Sequence, residues 1–516
     1  MRARRFEICV PSVAAARTAA YNRVAMNGDD RSIPLYVDLD GCLLRTDTLW
    51  ESFAAALRAN PVAGLFALFA LSRGRAALKR RLAEIGKADV ASMPRNERFV
   101  GWLRAQRARG RRLVLATAAD VALAAQAAQT TGGVRDDALF DAVLASDGRR
   151  NLKGPHKLAA IREHAGDTPF DYCGNGPEDV AIFARARGAI VVGASPRVLA
   201  AARRESTVLE VFDARTPWPA RLRSWLRAMR PHQWLKNLLV LVPLLASFRV
   251  GELPALVAAT LALVSFSLAA SSGYLLNDLL DLAADRRHPR KRARPFAAGE
   301  LSVRSGFAVA ALLFVSAIAI AFAVGNAFVG WVLAYLAMTG AYSGFAKRIA
   351  LLDVAVLAGL YTVRVLAGGA AIGVEVSFWL LAFSLFLFFS LALVKRCAEI
   401  VAQLARDEAT GAGRDYRVGD LAVLQALGIG ASFAALVVLA LYVQTPEVTE
   451  RYASPQLLWL MLVGLLILLG RMWLSTARGE MNDDPLVYAI EDRASRWIVG
   501  ALLVLFAAAA TLRLPF

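Results

Sequence analysis

The chain is expected to be a multi-domain protein. An N-terminal α/β domain, a Rossmann-like parallel sheet with a helical cap, precedes an all-α polytopic bundle of nine transmembrane helices. Three observations lead there. The 516 residues are 57% hydrophobic with a mean hydropathy of +0.46, too apolar for an ordinary soluble protein. The long apolar runs all lie after residue 234. Before residue 213 the apolar stretches are short and run into small polar motifs, with helical patterns between them, the layout of a parallel doubly wound sheet.

Residues 1–32 are basic and rich in Ala without a sustained apolar core, so they read as an extension rather than a secretory signal, with Met26 as an alternative start. The α/β domain is placed at 33–212. Its strands are Ile33–Val37, Arg112–Ala116, Phe170–Cys173 and Ala189–Val192, and residues 49–110, rich in Ala, Leu and Arg, read as a helical cap inserted after the first strand. A Pro-, Trp- and Arg-bearing linker at 213–233 reads as lying on the membrane surface, and the membrane domain is placed at 234–516. Its nine runs, at 235–250, 255–276, 303–324, 326–345, 351–371, 376–394, 421–443, 455–474 and 497–513, are mostly near the ~20 residues that cross a bilayer.

The chain carries a net charge of +18, and most Lys and Arg of its apolar half sit in the loops 277–302, 346–350, 395–420 and 475–496, whereas the intervening loops carry only Arg249 and Arg451. That bias predicts a multi-pass protein of the plasma (inner) membrane, with the N-terminal domain and active sites cytoplasmic and the C-terminus outside. The same charge suits anionic headgroups, and no nucleic-acid-binding motif competes for it. Four scattered cysteines with no CxxC suggest neither a disulfide framework nor a zinc site.

In the first domain Asp38-Leu39-Asp40-Gly41, with Thr46 and Asp47 beyond it, stands at a strand end, where such sheets place their chemistry. A carboxylate nucleophile with an acid/base two residues on suits phosphoryl transfer. Thr117 closes the second strand, Lys153 and Lys157 precede the third, and Gly174-Asn175-Gly176-Pro177-Glu178-Asp179 follows the third. These four motifs in this order resemble the haloacid-dehalogenase-like phosphatases. The resemblance implies Asp38 as nucleophile, Asp40 as general acid/base and Thr117 as phosphoryl ligand. It implies Lys157 as the neutralising base, with Lys153 as its rival, and Mg²⁺ held by Asp38, Asp40 and Asp179. Asn175 stands where the family has a first acid.

In the second domain Asn277-Asp278-x-x-Asp281-x-x-x-Asp285 follows an apolar run, and its three Asp fall on one face of a continuous helix. Six bases follow by Arg294. A positive-inside loop explains those bases but not the acids at a membrane edge, which suit Mg²⁺ on a diphosphate. With Lys236 at the start of the first span and nine spans, this half resembles the UbiA-type prenyltransferase superfamily. The family's second Asp-rich motif is missing after the sixth span. There the chain reads Lys395-Arg396-Cys397-Ala398-Glu399, then Arg406 and Arg414. That departure, with His288-Pro289-x-Lys291-Arg292-x-Arg294-Pro295 and Tyr361-x-x-Arg364-x-x-Ala367-Gly368-Gly369, resembles the decaprenyl-phosphate phosphoribosyltransferase branch.

The resemblance implies a transferase in which Asp278, Asp281 and Asp285 hold Mg²⁺ on phosphoribosyl diphosphate and the acceptor is a polyprenyl phosphate lipid. It offers Lys236, Asn277, Arg286, His288, Lys291, Arg292, Arg294, Arg364, Lys395, Arg396 and Glu399 as substrate-binding residues. Arg364, inside an apolar run, has a structural pairing with Asp353 as its alternative. The fused phosphatase would remove the 5-phosphate to leave polyprenyl-phosphoryl ribose. Two other readings stand beside this one: a prenyltransferase acting on an aromatic acceptor, and a transporter or scaffold with a vestigial phosphatase domain.

Overall fold

The computed structural model describes residues 32–132, 138–213, 217–404, 415–481 and 484–513. Of the N-terminal extension it describes Ser32 alone, and Met26, Arg406 and Arg414 lie outside the described residues. The chain divides into two compact units, Met1–Trp225 with Asp278–Gly306, and Leu226–Asn277 with Phe307–Phe516.

The first unit is built on a six-stranded, wholly parallel sheet of β1 (Leu35–Val37), β2 (Leu113–Asp120), β3 (Ala142–Ser146), β4 (Asp171–Gly174), β5 (Gly188–Val192) and β6 (Thr207–Phe212), in the order β3-β2-β1-β4-β5-β6. Four of these match the apolar patterns in the sequence. The two others are the edge strands, where burial is incomplete and the apolar signal weak: β6 alternates exposed and half-buried residues along Thr207–Phe212. Alternate residues of β1 serve opposite faces. Leu35 and Val37 pack with Phe99 and Leu115 on one side, and Tyr36 packs with Ile161, Tyr172 and Phe183 on the other. From β1 the sheet grows one way to β2 and the other way to β4, so the topological switch point lies at the C-terminal ends of β1 and β4.

The cap forms where its composition predicted. The helices Thr48–Ala59, Pro61–Phe66, Arg75–Gly86 and Glu97–Ala108, with a 3₁₀ turn at Ala67–Arg73, separate β1 from β2. Asp47 starts the first by accepting the Leu49 N–H at 2.9 Å, and Asn60 starts the second by accepting that of Ala63 at 2.9 Å.

Segment 278–306 joins this unit through the cap. Arg286 makes a two-pronged ion pair with Glu51, at 2.6 and 3.1 Å, between side chains only 7% and 4% exposed. Arg58 meets Asp281 at 3.1 Å, and Arg287 pairs with Asp89. The continuous helix expected through the three Asp is broken. Helix Leu253–Leu280 ends before Asp281, whose backbone (φ −96°, ψ 11°) leaves the helical region and begins a second helix, Leu282–Arg287. The Asp281 side chain there meets Arg58, while Asp278 and Asp285 share Arg294.

Eight helices among the described residues are long and apolar enough to cross a membrane: Leu253–Leu280, Val303–Val324, Asn326–Gly344, Leu352–Ile372, Phe378–Leu404, Val418–Val443, Leu457–Ala477 and Arg493–Thr511. They correspond to the second through ninth apolar runs. The first run folds otherwise, as a 3₁₀ helix Pro231–Leu241 followed by a short α-helix Val242–Ala246. Pro243 opens the α-helical piece, and left-handed backbone at Arg230 and Phe248 bounds the pair. Together they reach about 30 Å, since a 3₁₀ helix rises faster per residue than an α-helix. Gly368 explains one motif of helix Leu352–Ile372. A Cβ there would stand 2.0 Å from the Val240 carbonyl oxygen, so only glycine lets the two backbones approach.

Breaking the Glu51–Arg286 pair leaves a buried charge alone. Arg286→Ala is expected to destabilise the first unit by about 3–5 kcal/mol. Protease susceptibility of the cap in the full-length protein measures this, and the double change Glu51→Met, Arg286→Met is expected to recover most of the loss.

Candidate functional site

The switch point assembles the phosphatase-like residues. Asp38, at the end of β1, accepts the Leu39 N–H at 2.9 Å and meets Lys157 at 2.9 Å. Lys157 also lies 3.6 Å from Asp179 and donates to the Tyr172 hydroxyl at 2.9 Å, which donates in turn to Asp179 at 2.8 Å. The second oxygen of Asp179 accepts the N–H groups of Asn175 (3.0 Å) and Gly176 (2.9 Å), closing the turn after β4. Asn175 donates its amide to the Asp40 carbonyl at 3.1 Å and so ties the β4 turn to the β1 loop. Gly41 makes room for that contact. Its φ of +75° suits glycine, and a Cβ would stand 1.9 Å from the Asn175 amide nitrogen. Thr117 is wholly buried and accepts the Ala119 N–H at 3.0 Å.

Of the two rival lysines the fold brings Lys157 to Asp38, while Lys153 pairs with Glu178 at 2.9 Å. Asp40 turns toward the cap, accepting the Thr48 N–H at 2.9 Å and its hydroxyl at 3.1 Å. Burial pushes the Asp38 carboxyl up to about 6 despite the Lys157 charge, and burial followed by the charge of Asp47 pushes Asp40 up to about 7. Lys157 stays protonated, because the charges of Asp38 and Asp179 outweigh its own burial.

One residue of this site was not foreseen. Lys79, from cap helix Arg75–Gly86, donates to the Ala118 carbonyl and to Asn151 at 3.0 Å, within electrostatic reach of Asp40 and Lys157. Its sequence signal is slight, a lysine opening the run Lys79-Arg80-Arg81 in a stretch read only as helical cap. The arrangement offers an oxygen nucleophile, a buried cation beside it and a carboxyl that is partly protonated near neutrality, the requirements of phosphoryl transfer.

In segment 278–306 Arg294 stands between Asp278 (3.0 Å) and Asp285 (2.7 Å), and burial raises the Asp285 pKa. A guanidinium thus occupies the point on which the two carboxylates converge. Arg286 is spent on Glu51, and His288 accepts the N–H groups of Arg290 and Lys291 and shapes the turn. Lys291 and Arg292 are exposed. No group of three acid, His or Cys side chains positioned to hold a metal exists among the described residues. Two hard carboxylate oxygens converging on one cation, here and at Asp38 and Asp179, still fit Mg²⁺, which takes one or two protein carboxylates with substrate phosphate and water.

Within the second unit a separate cluster gathers cations. Lys236 pairs with Asp484 and lies 5.9 Å from the centre of the Tyr361 ring. Arg364 donates to Asn237 at 2.9 Å and to the Tyr335 hydroxyl at 3.3 Å, and stacks 4.7 Å from the Tyr335 ring. The positive charges of Lys395 and Arg364 both bear on Lys236. The alternative pairing of Arg364 with Asp353 does not form. Asp353 instead meets Arg396 at 2.6 Å and accepts the Tyr416 hydroxyl at 2.5 Å, and Arg396 also pairs with Glu399. Arg396, Glu399 and Asp353 therefore form a separate lock in which one base meets two acids, while among the described residues the acid paired with the cluster of Lys236, Arg364 and Lys395 is Asp484. Asp484 was also missed. Its signal was the acidic run Asn482-Asp483-Asp484 just before the last span, of which Asp484 alone lies among the described residues.

Comparison with known proteins bears on this cluster. The model of the UbiA prenyltransferase family matches residues 238–411. An uncharacterized protein, y4nM, of Sinorhizobium fredii is 35% identical over 475 residues, covering 92% of this chain and 90% of that one. The nodulation protein NoeC of Azorhizobium caulinodans is 37% identical over 281 residues, 54% of this chain and 91% of its own. Decaprenyl-phosphate phosphoribosyltransferase of Mycobacterium tuberculosis is 38% identical over 193 residues, 36% of this chain and 64% of its own.

If Asp40 serves as the acid of a phosphoryl transfer, it can give a proton to a leaving alkoxide only while it holds one. Hydrolysis of a soluble alkyl phosphate is expected to decline as pH rises through about 7. Asp40→Asn is expected to lower the rate about 10²–10⁴-fold and flatten that limb. The pH–rate profiles of the two proteins check this.

Proposed function

The chain belongs to the UbiA prenyltransferase family, and from that premise we propose that it is a plasma-membrane phosphoribosyltransferase fused to a phosphatase. It is an integral membrane protein of the UbiA transferase type, and the finer reading concerns its substrates. The observation that carries it is the gathering of positive charge at Lys236, Arg364 and Lys395 in the bundle, with Arg364 buried and the two lysines partly so, a place to hold an anionic headgroup. The acceptor is a polyprenyl phosphate, whose phosphate these three cations hold. The donor is phosphoribosyl diphosphate, taken up at the Asp-rich segment, where Asp278 and Asp285 would hold Mg²⁺ once Arg294 releases them. Mg²⁺ there supplies charge neutralisation on the diphosphate.

A phosphate oxygen of the lipid attacks the anomeric carbon, the bond from that carbon to pyrophosphate breaks, and no protein nucleophile is required. Asn277 borders the donor acids. Lys291, Arg292 and the freed Arg294 are available to donor phosphates. The sequence match to decaprenyl-phosphate phosphoribosyltransferase supports the choice of donor, as does a basic Lys395-Arg396 where the family's second acidic motif would stand.

The first unit then acts as a haloacid-dehalogenase-like phosphatase. Asp38 attacks the 5-phosphate of the lipid-linked ribose and Asp40 protonates the leaving oxygen. Lys157 and Thr117 hold the transferred phosphoryl group, and Asp38 and Asp179 would hold Mg²⁺. Water then cleaves the phosphoaspartate. The product is polyprenyl-phosphoryl ribose. The short segment 231–246 is taken as a ninth crossing, which puts the N-terminal domain in the cytoplasm and the C-terminus outside.

Purified protein given labelled phosphoribosyl diphosphate, Mg²⁺ and polyprenyl phosphate is expected to form a labelled lipid, and transfer of an allylic polyprenyl chain to an aromatic acid instead would overturn the choice of donor. Lys236→Met is expected to lower lipid labelling about 10- to 100-fold, the worth of one charge-assisted contact. In Asp38→Asn protein the lipid is expected to keep its 5-phosphate, as mass spectrometry reads directly.

A further inference from the structure

The cap carries an apolar surface turned the wrong way for a soluble domain. Along Pro61–Arg73 the small residues Gly64 and Ala67 face inward, and Ala67 packs on Ala56, Leu78 and Leu82. The large residues face out: Val62 (63% exposed), Leu65 (56%), Phe66 (64%), Leu68 (44%), Phe69 (73%) and Leu71 (52%). Phe66 and Phe69 stack on each other at 5.8 Å, still in the open. This is built structure, with a capped helix start at Asn60 and Gly64 close against the backbone of Ala56 and Leu57. Soluble proteins rarely leave so continuous an apolar patch uncovered unless something covers it in function.

We infer that this face docks into an anionic lipid bilayer, so that the cap is a peripheral membrane anchor of the α/β domain. Three features choose a bilayer over a protein groove. From Pro61 to Arg81 the chain contains no acid but holds exposed Arg73 and Arg75 beside the patch, the charge that anionic headgroups attract. At thirteen residues the segment Pro61–Arg73 is too short to cross but suits the interface, where aromatic side chains concentrate. And Arg58, three residues before Pro61, is bonded to Asp281, the residue directly following the long apolar helix Leu253–Leu280.

The inference deepens the proposed function and rests on it only for the substrate. Helix Thr48–Ala59 holds Asp40 at its first residue and leads through Asn60 into the patch. A phosphatase so moored acts on phosphates carried by lipid at the bilayer surface.

The test uses full-length protein in phosphatidylglycerol-containing nanodiscs. A nitroxide is placed at Phe69→Cys, with Cys9 replaced by Ser; the other cysteines are buried. Power saturation is expected to show the label more accessible to oxygen than to an aqueous nickel chelate, whereas a label at Arg204→Cys shows the reverse. A label at position 69 that meets the nickel chelate like one at position 204 overturns the docking. So does broadening that requires two labelled copies per disc, which would make the occupant a second molecule of this chain. In a second arm, Phe66→Ser with Phe69→Ser is expected to slow phosphate release from the lipid-linked substrate about tenfold while sparing a soluble alkyl phosphate, a loss of about 1.4 kcal/mol. Equal rates on the lipid overturn the claim about substrate access. If neither substrate is hydrolysed even by the unaltered protein, the phosphatase reading fails while the nitroxide depth still decides the docking.

Discussion

The buried ion pair of Glu51 and Arg286 joins two stretches of chain separated by most of a domain and a membrane crossing. Neither charge has water to return to, so each requires the other. Their consequence is that helix Thr48–Ala59 holds Asp40 at one end and, through Glu51 and Arg58, the Asp-rich segment along its length. Asp40 and the Asp-rich segment are thereby tied to one helix.

A second theme is that each charged candidate site is closed by an internal partner of opposite sign. Lys157 spans Asp38 and Asp179, Arg294 spans Asp278 and Asp285, and Asp484 covers Lys236. Such pairs keep buried charges compensated until a ligand of the same sign as one partner arrives. In the proposed function, Arg294 and Asp484 are the groups that a phosphorylated substrate or its metal ion would displace. Lys157 differs, since in the proposed phosphatase reading it would stay beside Asp38 and face the phosphoryl group as well. The Arg396–Asp353–Tyr416–Glu399 network carries no such surplus, and its role is to hold the helices Leu352–Ile372 and Phe378–Leu404 together.

Much of this was legible in the chain. The central strands announced themselves because they are buried on both faces and read as unbroken apolar runs, whereas β3 and β6 at the edges are half-solvated and carry a diluted signal. The eight long membrane helices follow from length and hydropathy alone. The first run misled because its composition is apolar, while its proline and the left-handed residues at its borders impose a different helix. The three Asp were expected on one helical face, and spacing alone could not show that the backbone turns at Asp281.

The sequence by itself determined the two-part architecture, the positions of the acidic and basic motifs and the order in which they occur, because hydropathy and spacing are properties of neighbours along the chain. Partnership was decided only in three dimensions. That Lys157 rather than Lys153 meets Asp38, that Arg364 finds Asn237 and Tyr335 while Asp353 takes Arg396, and that Lys79 and Asp484 join the sites at all, depends on which distant backbones the packing brings within a few ångströms. Charge interactions fall off with distance in space, and the distance along the chain says nothing of it.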